Sequence, residues 1–205
     1  MADKFLDKVY DLKLDTTDAV EKFYDDWSDS YDSEVGELGY ASPRRLAEAL
    51  VKFVPSDTPI LDFGCGTGLS GRALNTCGFT TFDGMDISDE MLEGARATGL
   101  YRNLTQIDPD ADLPFAAGDY PVIVACGVIG AGAAPLAVFD TLMNALATGG
   151  YFAFSYNDHT LEDPSYEAKV MDWCDTGAAT LLFREHGDHL PGLGLGSNIY
   201  VMQKN

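Results

Sequence analysis

Three aspartates and one run of glycines carry the spacing in this chain that points to chemistry. Asp62-Phe63-Gly64-Cys65-Gly66-Thr67-Gly68 leaves a short apolar stretch, Pro59-Ile60-Leu61, and enters a helical pattern at Leu69. Glycines at such a junction let the backbone turn tightly and let a ligand approach where a Cβ would otherwise stand. Asp86 closes the next apolar stretch, and Asp108 closes the one after it. If these stretches are parallel strands, the three carboxylates gather at their carboxyl ends, the edge where open α/β sheets bind ligands.

Taken alone, the loop fits any nucleotide-type ligand, and charge separates the options. A dinucleotide loop of the form G-x-G-x-x-G requires glycine at position 69, where Leu69 stands. Asp62 precedes Gly64 closely, near where a pyrophosphate would lie. Like charges ~4 Å apart repel by roughly 4 kcal/mol at an effective dielectric of ~20. Between Phe53 and Met91 the only basic residue is Arg72. S-adenosylmethionine reverses this problem, because its sulfonium and amine are positive.

For that ligand each position has an expected task. Asp62 accepts from the amine, and Asp86 accepts from both ribose hydroxyls. Ile87 and Met91 cover the adenine faces, and Asp108 accepts from the adenine amino group. The backbone of Gly64, Cys65, Gly66 and Gly68 borders the ligand, and Cys126-Gly127 lines its methionine arm. Two other readings stand beside methyl transfer: a regulatory module that binds the cofactor without chemistry, and a nicotinamide oxidoreductase.

The elements that must position these residues follow from pattern. Residues 1–55 read as a helical cap. Thr16-Thr17-Asp18 with Glu21 marks one helix start, and Ser42-Pro43 marks another that runs to Pro55. From residue 56 strands alternate with helices, which predicts a doubly wound, mostly parallel α/β sheet in one domain of 1–205. Strands are expected at 59–63, 79–86, 104–107, 121–125 and 151–156. Ser88 starts a helix with acids in its first turn, and residues 135–148 form another. Two final strands, 179–184 and 199–203, are joined by the loop LPGLGLGSN without a helix, which suggests an antiparallel close.

Composition narrows the partners. The chain has 205 residues, 33 Asp+Glu against 13 Lys+Arg, and a formal net charge of -20. Nucleic-acid backbones require clustered cations, so neither nucleic acid nor an anionic membrane is an expected partner. No run approaches the ~18 apolar residues of a span, and the N-terminus carries no signal-peptide pattern. The four cysteines lack a C-x-x-C pair, which fits buried thiols in a reducing cytoplasm. His186 and His189 read as loop residues, and no metal-ligand pattern such as HExxH is present.

ILDFGCGTG, GMDISDEML, DPDADLPF, LATGGYFAFSYN and the N-terminal FYDDWSDSYD together resemble a class I S-adenosylmethionine-dependent methyltransferase. More narrowly, YDDWSDSYDSEVGELGYASPRRLAEAL and GLYRNLTQID are similar to the methyltransferase-like 27 group. The resemblance implies a seven-stranded, Rossmann-like sheet with a reversed last strand and a methyl donor as cofactor. It also implies a lid in which Tyr24 and Tyr31 close over that cofactor. The expected acceptor is a small molecule, neutral or cationic. Tyr24, Tyr156 and His159 are its candidate pocket residues, any of which could assist a proton transfer. The family's Phe-Asp before the fourth strand is replaced here by Tyr120-Pro121.

Overall fold

Four apolar runs become the centre of the sheet. The computed structural model describes residues 16–130 and 132–205; the helical reading of 1–15 lies outside them. In chain order the elements are α1 (Thr17–Glu37), α2 (Ser42–Leu50), β1 (Ile60–Phe63), α3 (Leu69–Thr76), β2 (Phe82–Asp86), α4 (Asp89–Thr98) and β3 (Leu104–Gln106). They continue with β4 (Val122–Ala125), α5 (Ala137–Ala145), β5 (Tyr151–Asn157), α6 (Asp158–Leu161), α7 (Pro164–Asp175), β6 (Ala179–Leu190) and β7 (Leu195–Lys204). The sheet order is β3-β2-β1-β4-β5-β7-β6. β7 runs antiparallel to both neighbours, and the other pairs are parallel.

Every residue of β1, β2 and β4 is buried, as strands covered on both faces require. Leu61, Ile123, Phe152 and Phe154 face Phe139, Leu142 and Met143 of α5. Ile60, Val122, Val124 and Ala153 face Leu46 and Leu50 of α2 and Leu74 of α3. Alternate residues of each strand thus feed opposite cores, and Asp62 falls on the α3 side. Thr16 and Ser88 cap α1 and α4 by accepting from the amides of Ala19 and Met91. Among the described residues no helix is long and apolar enough to cross a membrane.

The structure corrects the reading of the last third. The expected loop LPGLGLGSN is mostly strand: a short 3-10 turn at Pro191–Leu193 leads through Gly194 into β7. Gly196 sits inside β7 because a Cβ there would lie 2.5 Å from the His186 ring, so it marks close approach rather than a turn. His186 and His189 therefore stand on β6, not in a loop. α6 and α7 are also additions. In α7 Val170 is fully buried, and Tyr166, Trp173 and Cys174 pack half-buried beside it on one face.

α2 is tied to the closing hairpin by polar contacts, buried at Ser42 and more exposed at Arg45. The Ser42 hydroxyl lies 2.8 Å from His189 Nδ1 and 2.9 Å from the Ser197 hydroxyl. Arg45 donates to the Asp188, Ser197 and Glu185 carbonyls at 2.9, 3.0 and 2.9 Å. Burial keeps His189 neutral down to about 4, whereas an unfolded histidine takes up its proton near 6.5. Between those values the unfolded chain binds the extra proton, so stability is lost as pH falls from 6.5 toward 4. A shift of this size is worth about 3 kcal/mol. Thermal melts at pH 7.5 and 4.5 are expected to show a smaller acid loss for His189→Gln than for the natural chain. Equal losses would remove His189 as a source of acid sensitivity.

Candidate cofactor cleft at the carboxyl edge of the sheet

The strand order reverses between β1 and β4, which opens a crevice beyond their carboxyl ends. Asp62, paired in register with Gly84 of β2 and Val124 of β4, is fully buried there. Its Oδ2 accepts from the Ser70 hydroxyl and the Tyr101 hydroxyl, both at 2.6 Å. Its Oδ1 is buried and has no hydrogen-bond partner among the described residues. Burial pushes this carboxyl up to about 6, against the two hydroxyl donors, while the nearby Asp86 charge adds to the rise. A buried acceptor left unpaired is costly, and a ligand amine is the kind of donor that would satisfy it.

Asp86 ends β2, nearly as buried. Its Oδ2 accepts from the Gly66 amide at 2.8 Å and its Oδ1 from the Ser88 amide at 3.0 Å. Each oxygen keeps a further lone pair. Burial raises its pKa, and the Ser88, Gly66 and Ile87 amides oppose that rise. The carboxylate of one strand thus holds the loop that leaves the neighbouring strand.

The glycines divide by task. Gly66, at φ 53°, has open space where a Cβ would stand, so ligand approach is free there. At Gly64 the same space is filled by Val128, 2.4 Å from an added Cβ, and at Gly68 by Thr98 and Tyr101. Gly127 makes room for the Tyr40 hydroxyl, which would lie 2.7 Å from a Cβ. Cys65 packs its side chain with Leu92 and Ala95, leaving its backbone to shape the loop.

α1 lies over this edge. Phe23 and Trp27 are buried with Leu190 nearby, and Tyr24 and Tyr31 pack half-buried beside them. The Trp27 and Tyr31 rings meet edge-on at 4.7 Å. Asp32 of α1 accepts a hydrogen bond from Thr67 of the glycine loop, joining cap to crevice. Burial raises the Tyr31 pKa well above its usual value, and Tyr24, Cys126, Asp32 and Asp86 add to that rise. Tyr31 therefore shares its surroundings with Asp86 and Cys126, two residues expected at the ligand. Cys126 lies 3.9 Å from the hydroxyls of Tyr40 and Ser155, and burial pushes its thiol up to about 12.

The remaining expected residues are spread more widely. Ile87 is half-buried, its carbonyl accepting from Gln106 at 2.9 Å, and Met91 is buried in the first turn of α4. Asp108 is exposed and accepts from the Asp110 amide at 2.9 Å, a local turn contact. Tyr156 is fully buried against Phe154, Tyr166 and Tyr200. His159 follows β5 in α6, its Nδ1 3.6 Å from Glu162. Tyr120, the departure from the family pattern, donates to Asp83 at 2.9 Å, and Asp83 also pairs with Arg102. Sequence reasoning did not assign Ser70, Tyr101 or the Thr67–Asp32 contact, because none lies within a strand-end pattern. Among the described residues no group of His, Cys, Asp and Glu could hold a metal ion.

Comparison with known proteins gives a consistent picture. The model of the methyltransferase domain family matches residues 38–195. Methyltransferase-like protein 27 of Homo sapiens is 36% identical over 117 residues, covering 55% of this chain and 48% of that protein. The 18S rRNA (guanine(1575)-N(7))-methyltransferase of Saccharomyces cerevisiae is 33% identical over 125 residues, covering 54% and 46%. The matched segments thus span about half the length of these curated relatives. A chain from the complex between the Haloferax volcanii Trm112 methyltransferase activator and a methyltransferase superposes with a TM-score of 0.66 at 18% identity. That match covers 88% of this chain and 97% of the other, and at this identity it speaks for the fold alone.

Proposed function

We infer the function from a plain premise: the chain belongs to the methyltransferase domain family. S-adenosylmethionine is the cofactor of this class, and the residues at the crevice fit it. We propose that the chain, as one domain with residues 1–55 as its cap, transfers the cofactor's methyl group to a small molecule. The single observation that carries the cofactor reading is the buried, unpartnered Oδ1 of Asp62 beside the Asp86 carboxylate. Two acids with no basic side chain in the loop suit a cationic ligand and oppose a pyrophosphate.

When bound, S-adenosylmethionine supplies an electrophilic methyl group: the acceptor's electron pair bonds to the methyl carbon as the carbon–sulfur bond breaks, leaving its pair on sulfur. Asp62 holds the amine and Asp86 the ribose hydroxyls. The Gly64–Gly68 backbone borders the ligand, Ile87 and Met91 flank the adenine, and Asp108 takes its amino group. Gly127 and Cys126 border the methionine arm. Tyr31 and Tyr24 close the crevice and exclude water, so the protein's contribution is mainly alignment. His159 flanks the acceptor, whereas Tyr156, fully buried among Phe154, Tyr166 and Tyr200, contributes only through that packing. Where the acceptor must lose a proton, His159 is the candidate base.

The acceptor reading rests on charge. A net charge of -20 disfavours a polyanion and favours a neutral or cationic small molecule. The yeast relative's name specifies an rRNA acceptor, so the test includes both classes. Calorimetry is expected to show binding of S-adenosylmethionine and its demethylated product but not of NADH. Incubation with methyl-labelled cofactor is expected to place label in a metabolite panel and not in ribosomal RNA. Label in RNA alone would overturn the acceptor assignment. Binding without transfer to any acceptor would favour the regulatory module.

A further inference from the structure

We propose that Tyr101 is the positioning residue for the cofactor's amino group: with Ser70 it occupies Oδ2 of Asp62 and leaves Oδ1 as the face offered to the amine. The inference rests on the cofactor reading above and extends it to a residue outside the glycine loop. Tyr101 lies in the link between α4 and β3 and reaches Asp62 across the neighbouring strand.

The slot for its ring is built by glycines. A Cβ at Gly71 would lie 2.3 Å from the Tyr101 hydroxyl oxygen, one at Gly84 3.0 Å from its ring, and one at Gly68 3.2 Å away. Phe82 packs edge-on against the same ring at 5.2 Å. Part of the glycine pattern that reads as room for a ligand is therefore room for this tyrosine.

The consequence for Asp62 is directional. A carboxyl group turns easily about its last bond, and two hydroxyl donors on one oxygen stop that turn. Donors to the ionised form also oppose the effect of burial. The ionisable groups facing Asp62 are Asp86 from β2, Cys65 from the loop, Cys126 after β4 and Tyr101 itself. Burial holds both thiols and the phenol protonated, so Asp62 and Asp86 are the members of this set that titrate between acid and neutral pH.

Calorimetry with two ligands across acid to neutral pH tests the proposal. S-adenosylhomocysteine carries the amine; methylthioadenosine keeps the nucleoside and sulfur but lacks the amino-acid arm. Tyr101→Phe keeps the ring in its slot and removes the donor. It is expected to weaken S-adenosylhomocysteine about tenfold or more at neutral pH while changing methylthioadenosine less than about twofold. The pH midpoint for S-adenosylhomocysteine binding is expected to rise by about one unit. Ser70→Ala, which leaves the slot untouched, is expected to move both readouts the same way and carries the test if Tyr101→Phe fails to fold. Equal loss of both ligands, or an unchanged affinity and midpoint, would overturn the role of Tyr101. A natural chain that binds neither ligand would instead overturn the cofactor reading, and this inference with it.

Discussion

Asp86→Ala is expected to bind S-adenosylhomocysteine about 10- to 150-fold more weakly than the natural chain, a loss of about 1.5–3 kcal/mol. The size of this loss follows from the charge on the accepting oxygens. A buried carboxylate that takes two hydroxyl donors makes charge-assisted bonds, roughly twice as strong as neutral ones. Asp86 is already oriented, since the Gly66 and Ser88 amides donate to its two oxygens. The same contacts give the variant a second effect, because both amides lose their acceptor. The ligand pair separates the two ends of the crevice. Asp86 faces the ribose, which both ligands carry, so Asp86→Ala is expected to weaken methylthioadenosine as much as S-adenosylhomocysteine. Unchanged affinity for both, measured by calorimetry on folded protein, would remove Asp86 from the site.

The parts of this crevice legible in the sequence are those set by local pattern. Ile60-Leu61-Asp62-Phe63 and Val122 to Ala125 read as doubly covered strands because no polar alternation interrupts them beyond Asp62 itself. Ser88 with its following acids reads as a cap, and it is one. The glycine loop is legible as a turn, but its division of labour is not: Gly66 faces open space while Gly64 and Gly68 face Val128, Thr98 and Tyr101. Those neighbours come from other elements, so no window of sequence around the loop contains them.

Two further features escape for different reasons. α7 presents Tyr166, Val170, Trp173 and Cys174 to the core at helical spacing, but only Val170 is fully buried and the stripe is short, so it does not stand out between two strands. β6 begins with the expected strand at 179–184 but runs on to Leu190; Glu185, His186 and Asp188 of that extension are exposed on an edge strand, where polar residues are ordinary and hide the strand pattern. The Asp62–Tyr101 contact is the sharpest case. It joins residues 39 apart in sequence, and only the parallel pairing of β1 with β2 and β2 with β3 brings them together.

Asp62→Asn is expected to lower S-adenosylhomocysteine affinity by two orders of magnitude or more while making the ligand-free protein less sensitive to rising pH. The first effect follows from losing the charge and from turning an acceptor oxygen into an amide donor that faces the amine; breaking such a buried charged contact costs about 3 kcal/mol or more. The second follows from linkage. Folding raises the Asp62 pKa from 3.8 to about 6, so the folded chain holds this proton more tightly than the unfolded one. Its contribution to stability is complete below about 4 and is lost as pH rises through about 6, a difference of about 3 kcal/mol. Asparagine does not titrate. Its buried amide adds a penalty of about 1–3 kcal/mol at every pH, so the readout is the slope. The melting temperature of Asp62→Asn relative to the natural chain is expected to rise between pH 4 and 7.5, and a constant difference would mean that Asp62 carries no buried charge. Saturating S-adenosylhomocysteine then distinguishes burden from function. At a hundred times its Kd a ligand stabilises the folded state by about 2.7 kcal/mol. The natural chain is expected to recover this stability at pH 7.5, and Asp62→Asn at the same concentration is not, because the amine that offsets the buried charge has no acceptor left to meet.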